Sequence, residues 1–258
     1  MDELQKCALA FKKMLDFEYI CVLGRKNKIH EIRIAFNTYD FLHLAGLQYI
    51  DSPLLRGNRE RIFKNILKGE ITLLQLPEIS DKNKMERIHY LTFLEDFMDS
   101  NNMVFKFEKD RCLINQQAVH TRIKADYLLK NNYEGVPLYF FLVQEHNKYI
   151  GISFFADREK DYSIGQQNYT LLYKEKINTV TGKTEVQCDK LYDYRMVSLK
   201  EVEILKNSGL PFAMKKVDEN RGIIRFEKRN AVKVNALIGP PSQLELGTKP
   251  PNRNNPKR

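Results

Sequence analysis

Apolar residues recur at helical spacing over the first fifteen positions, where Leu4, Cys7, Ala8, Phe11, Met14 and Leu15 share one stripe of a predicted helix over 3–15. Two strand-like runs follow near 19–24 and 29–36, joined by the charged turn Arg25-Lys26-Asn27-Lys28. Helical patterns return over 39–50 and 58–68, the second closed by Gly69, where a left-handed cap is wanted. A long helix is predicted from about 84 to 99, with Met85, Ile88, Leu91, Leu94 or Phe93, Phe97 and Met98 on its apolar face. Ser100-Asn101-Asn102 then ends it with turn chemistry.

From Met103 the alternation shortens to every second residue, which predicts strands near 103–107, 111–115, 123–129, 137–144, 149–155, 168–177 and 184–188. Ser198 and Glu201 fit a capping box opening a helix that stops at Gly209, and strands near 212–217 and 222–227 follow. Helices first and strands later give an α+β fold class: an antiparallel β-sheet covered by helices on one face, with a small C-terminal helix-hairpin appendage. The expected organisation is a domain over 1–190 with a helical insertion at about 51–102, an appendage over 196–228 and a basic disordered tail over 229–258.

Strand alternation predicts which side chains face away from the helices. Tyr169, Leu171 and Tyr173 share one face of their strand, and Thr170, Leu172, Lys174 and Lys176 the other. In the same way Ile123, Ala125, Tyr127 and Leu129 are expected inside, with Lys124 and Asp126 opposite. The open face of the sheet would then present Lys124, Asp126, Ser153, Thr170 and Lys174, either as a site or as an ordinary solvated face.

Charge changes the picture only at the C-terminus. The chain's formal +9 includes +6 from residues 228–258, where seven basic side chains stand against Glu245 alone. That stretch also holds five of the nine prolines, as a solvated or phosphate-tracking arm would. The rest is only mildly cationic, which disfavours sequence-independent coating of duplexes. No apolar run is long enough for a membrane span, and the N-terminus lacks a secretory signal's apolar core. Cys7, Cys21, Cys112 and Cys188 are scattered without a CxxC, so reduced thiols and a cytoplasmic location are expected.

The common catalytic motifs are missing. Gly182-Lys183-Thr184 resembles the end of a phosphate loop, but Ile177 occupies the first glycine position and a hairpin turn is the better reading. His30-Glu31 begins like a zinc-protease motif, but Ile34 stands where the second histidine belongs. The five histidines are isolated, so neither a metal nor another cofactor is expected.

Several segments, in order, resemble the type-four group of phage Barnase–EndoU–colicin–RelE-like nucleases found in phages and mobile elements. They are Phe41-Leu42-His43-Leu44-Ala45-Gly46-Leu47, Leu55-Arg56-Gly57-Asn58-Arg59-Glu60, Asp99-Ser100-Asn101-Asn102 and Ile123 to Leu129. Ser153-Phe154-Phe155, Asp161-Tyr162 and Thr170 to Lys176 complete the set, which covers roughly 17–190. The resemblance implies a sheet with helices on one face and an RNA-cleaving site on the other. It also implies metal-independent chemistry in which the substrate's 2′-hydroxyl is the nucleophile.

Carried onto this sequence, the resemblance makes His43 the candidate acid/base, the alternative being a helix histidine bonded to Asp40. It makes Lys174 the candidate transition-state cation with Thr170 as its hydroxyl neighbour, and Lys124 a second candidate cation. Tyr162 would stack on a base or position phosphate, or simply anchor its loop. Arg56, Arg59 and Arg61 would grip RNA backbone, or else pair with Glu60 and cap a helix.

The function implied is a metal-independent endoribonuclease of a phage or mobile element. It would cut RNA, for instance tRNA, as a toxin or in phage–host conflict. A non-catalytic RNA-binding module is the second reading. The third is a protein-interaction inhibitor of host machinery, with the appendage at Leu210-Pro211-Phe212 docking a neutralising or host protein.

Overall fold

The structure is a computed structural model, and it describes residues 1–26, 28–76, 82–111, 113–114, 117–118, 121–196, 198–207, 214–218, 223–227 and 231–239. The chain divides into two compact units, Met1–Asp189 and Lys190–Arg258.

In the first unit, helix α1 (Glu3–Met14) is capped by Asp2, whose carboxylate accepts from the Leu4 amide, and it buries Leu4, Cys7, Ala8, Phe11 and Met14 of the predicted stripe, with Leu15 half-buried at its C-cap. Strands β1 (Phe17–Arg25) and β2 (Lys28–Ala35) form the expected antiparallel hairpin. The pattern over 39–50 does not make one helix. Only α2 (Phe41–Leu44) is α-helical, because Gly46 turns left-handed at φ +72° and breaks the run. Helix α3 (Arg59–Lys68) is capped by Asn58 at one end and by Gly69, φ +76°, at the other, as predicted. The long helix expected over 84–99 is two, α4 (Lys82–Leu91) and α5 (Leu94–Asp99), broken at Thr92-Phe93.

The strands overturn the expected architecture. After β3 (Met103–Lys106) and the short β4 (Leu113–Ile114) and β5 (Gln117–Ala118) come β6 (Tyr127–Tyr133), β7 (Val136–Glu145), β8 (Lys148–Ala156), β9 (Gln167–Asn178) and β10 (Thr184–Asp189). Seven of them run β1-β2-β8-β7-β6-β3-β9 and close, because β9 also pairs with β1; β10 lies outside the ring, on β9. The sheet is mixed, since β2 and β8 run parallel. It is a closed seven-stranded barrel and not an antiparallel sheet covered on one face by helices. The reason is a non-local pairing: β1 and β9 lie some 150 residues apart in the chain, and no local hydrophobic pattern reports their meeting.

The helices form no covering layer. Helix α1 packs on α3, α4 and α5, while α2 and α4 lie against β8. Phe97 on α5 meets Phe140 and Phe154 at 6.2 and 5.2 Å, so aromatic packing fills the helical end of the barrel. The parallel β2–β8 seam has only two residue pairs, Ile34 with Tyr149 and Ala35 with Ile150. Beyond them the edge of β8 is occupied by α2 and α4, and Gly151 permits this: a Cβ there would stand 2.4 Å from the Phe140 ring and 3.3 Å from Leu44.

The register slip between β1 and β9 changes a predicted face. Between β1 and β9 the pairing jumps from Val22–Tyr173 to Leu23–Leu171, leaving Leu172 extra. Leu171 lies in the main apolar core and Thr170 is exposed, as the alternation predicts, but beyond the extra residue Lys174 points to the helices at 2% exposure. The Lys174 ammonium donates to the carbonyls of Met98, at 2.5 Å, and Ser100. Lys176 pairs with Glu95 at 2.6 Å and Asp99 at 2.9 Å, and Tyr19 donates to Asp99 at 2.7 Å. The expectation of an open face bearing Lys174 is thereby corrected: this lysine ties β9 to the end of α5.

The segment 123–126 is not strand, and Ile123 and Ala125 pack on a second apolar cluster of Phe105, Phe107, Leu128, Tyr139, Phe141 and Phe155. In the second unit, β11 (Tyr192–Met196), β12 (Met214–Asp218) and β13 (Ile223–Glu227) form a three-stranded sheet in the order β11-β13-β12. Helix α6 (Leu199–Asn207) opens on the predicted Ser198–Glu201 box. Helix α7 (Ala231–Ile238) lies where the disordered tail was expected to begin, packs on α6 and buries Val234. Residues 240–258, and with them most of the expected arm, lie outside the described residues, as does Leu210-Pro211-Phe212. No helix among the described residues is long and apolar enough to cross a membrane.

Candidate active site at the β8 seam

Three of the family-like segments converge where α2 and α4 cover the edge of β8. Arg87 on α4 lies across Gly46: its Cδ is 2.9 Å from where a Cβ would stand, so a side chain at 46 would displace it. The guanidinium sits 4.8 Å from the Phe155 ring and reaches the Ser153 hydroxyl at 3.5 Å. Burial lowers its proton affinity, and the Tyr49 and Tyr162 phenols act in the opposite direction. Among the described residues no carboxylate pairs with it. A half-buried arginine with hydroxyls and rings around it, and no carboxylate, is suited to an anionic ligand such as phosphate.

Tyr162 is held in place by rings. It meets Tyr139, Phe155 and Phe141 at 5.3, 5.5 and 5.6 Å. Its loop is tied down by Asp161, which accepts from Lys130 at 2.6 Å and from the Ser163 hydroxyl at 2.6 Å. This packing makes Tyr162 a loop anchor, the plainer of its two expected descriptions, the other being stacking on a base or positioning phosphate.

His43 stands on α2 one turn before Gly46, whose amide donates to the His43 carbonyl at 3.1 Å. Burial, and then the charge of Arg59, hold its imidazole below the ordinary value, so it is neutral at neutral pH. No hydrogen bond to the ring occurs among the described residues, so the alternative of a histidine tied to Asp40 is not what is seen. Asp40, 3% exposed, instead accepts from the Asn37 amide at 3.0 Å. Burial pushes Asp40 up to about 7, with Glu145 adding to the rise and Arg59 opposing it. Glu145 also accepts from the Tyr39 hydroxyl at 2.8 Å. Helix α2 and its entry thus carry a histidine held below its ordinary value and a carboxyl raised to about 7, with Arg59 acting on both.

Asp40 has a measurable stability consequence. Its folded value lies above its unfolded one, so its contribution is full below about pH 4, declines between pH 4 and 7, and stays lost above. Asp40→Asn keeps an acceptor for the Asn37 amide and removes the buried charge. It is expected to raise stability at pH 8 by about 2–4 kcal/mol and hardly at pH 4.5, as urea unfolding at the two pH values would show.

The other expected site residues are dispersed. Lys174 is enclosed, Thr170 is exposed opposite Gly24, and Lys124 is exposed before β6. Arg56 pairs with Asp51 at 2.7 Å on the surface. The Arg61 amide donates to the capping Asn58, and its side chain lines a shallow surface cavity with Glu60, Lys64 and Lys68. Sequence reasoning did not find Arg87, Asp40 as a titrating group, or Tyr49. Nothing in the pattern around Arg87 marks it, because its distinction is the lack of a carboxylate partner among the described residues. Among the described residues no three His, Cys, Asp or Glu side chains gather to hold a metal ion.

Comparison with known proteins gives one finding. The sequence model of the phage-Barnase-EndoU-ColicinE5/D-RelE like nuclease4 family matches residues 3–191. No curated protein and no solved structure matches the chain.

Proposed function

This chain belongs to the phage-Barnase-EndoU-ColicinE5/D-RelE like nuclease4 family, and we propose that it is an endoribonuclease that cleaves RNA without a metal ion. In the proposed reaction the 2′-oxygen forms a bond to phosphorus as the bond to the 5′-oxygen breaks. The 2′-hydroxyl proton passes to His43, and a proton is returned to the leaving 5′-oxygen, so a 2′,3′-cyclic phosphate and a 5′-hydroxyl result. Arg87 and Arg59 offset the charge that builds on the phosphate oxygens. Asp40, at 3% exposure, is too enclosed to meet substrate.

The observation that carries this reading is the neutral His43 on the short helix next to Asp40, whose carboxyl is raised to about 7. A base that is unprotonated at working pH is what removal of the 2′-hydroxyl proton requires. The target is an RNA of defined shape, tRNA being the first to try, and the role is that of a toxin or an agent of phage–host conflict. Purified protein incubated in EDTA with total tRNA and with an unstructured RNA is expected to yield discrete fragments ending in cyclic phosphate. Cleavage that appears only when a divalent ion is added would overturn the metal-independent mechanism.

A further inference from the structure

Helices α1 and α5 lead into β1 and β3 at one end of the barrel; the far ends of the same strands carry different chemistry. There Tyr127 on β6 meets Tyr149 on β8 at 5.3 Å and Tyr169 on β9 at 6.2 Å, and His30 on β2 meets Tyr169 at 5.7 Å. None of these strand pairs is adjacent in the ring, so the rings meet across the barrel's interior. His30 is exposed, Tyr149 and Tyr169 are half-buried, and Tyr127 lies deepest at 6% exposure. No hydrogen bond engages the three tyrosine hydroxyls among the described residues.

Two cations frame these rings. The Arg25 guanidinium is 5.8 Å from the Tyr169 centroid and donates to Gln167 at 2.8 Å. The Lys106 ammonium is 4.8 Å from the Tyr127 centroid, with Asp126 at 3.4 Å. Burial, and then Tyr149, raise the Tyr127 hydroxyl to about 12, so it remains a protonated donor.

We infer that this end of the barrel is a subsite for a single-stranded RNA segment, taking an unpaired base against the tyrosines and its phosphate between Arg25 and Lys106. The half-buried rings of Tyr149 and Tyr169 and the exposed His30 offer stacking to any base, unbonded hydroxyls read base edges, and the flanking cations match a phosphate, whereas a duplex offers no unstacked base to insert. The choice of RNA as the polymer rests on the endoribonuclease reading; the geometry of the subsite does not.

The test titrates full-length protein with a fluorescein-labelled octamer of 2′-O-methyluridine, which lacks the nucleophile and is not cut, and reads anisotropy. Tyr169→Ala should weaken binding about tenfold, within the cost of losing one stacking ring, and Tyr169→Phe should restore most of it. Arg25→Gln should also weaken binding and flatten its salt dependence, and Lys64→Gln on α3 should change affinity less than about twofold. Equal affinity of the Tyr169→Ala and Arg25→Gln proteins and the wild type would overturn the subsite, as would competition by an RNA duplex as strong as that of the single strand. His43→Ala is expected to bind the octamer normally. Binding that depends on Tyr169 in a protein that cuts no RNA would overturn the nuclease reading and leave the subsite standing.

Discussion

Replacing His43 by alanine is expected to reduce RNA cleavage by about 10²–10⁴-fold, the usual worth of a positioned acid/base, without unfolding the protein. The ring is half-buried and makes no hydrogen bond among the described residues, so its removal leaves no orphaned partner. Phe41, Leu42 and Leu44 continue to hold α2 in the core. The pH profile adds a second readout. With burial and Arg59 both disfavouring the imidazolium, the acid limb of kcat/KM should lie below the ordinary histidine value. Arg59→Ala should move that limb to higher pH, because loss of a nearby positive charge makes the ring easier to protonate. Steady-state rates across pH 4.5–8 for the three proteins would check both statements, and a limb unmoved by Arg59→Ala would separate His43 from the reaction.

The largest expected loss of stability is at Lys174. Its side chain is 2% exposed and its ammonium serves the Met98 and Ser100 carbonyls at the end of α5. Lys174→Ala leaves a cavity and two carbonyls without their donor, for an expected cost of about 3–5 kcal/mol. Thr170→Ala, four residues earlier on the exposed side of the same strand, should stay within about 0.5 kcal/mol. Urea midpoints of the two variants at unchanged m-value would show the contrast. A Lys174→Ala protein as stable as the wild type but inactive would reverse the assignment and return Lys174 to the catalytic role that the family resemblance implies.

That pair of residues also shows how far the sequence could be read. Regular alternation puts Thr170 and Lys174 on one face, and the strand bounds 168–177 come within a residue of those observed at each end. The extra residue at Leu172 reverses the face and depends on the partner strand, whose identity a local pattern does not carry. Stripe, hairpins and caps were legible because each is set by neighbours a few residues away: the α1 stripe, the Asn58 cap and the Gly69 stop are all as expected. Barrel closure was not legible, because it joins β1 to β9 across most of the unit.

The site divides along the same line. His43 is visible as a lone histidine in a short resembling segment, and the structure adds the environment that keeps it neutral. Arg87 belongs to a helix face like any other in the sequence. It becomes a candidate phosphate ligand only where Gly46, Ser153 and Phe155 surround it and, among the described residues, no carboxylate does. The Asp99-Ser100-Asn101-Asn102 and Thr170 to Lys176 segments also carry the resemblance, yet together they build the clamp between α5 and β9.

The most direct test of the mechanism replaces the single ribose 5′ to the cut phosphate by 2′-deoxyribose, in an RNA the wild-type protein cleaves at one position. Attack by the neighbouring 2′-hydroxyl predicts that this substrate stays intact at that phosphate, while the all-ribose control is cut to a cyclic end. Cleavage of the deoxy substrate at the same phosphate would mean that water is the nucleophile, and His43 would then not be the base that takes the 2′-hydroxyl proton.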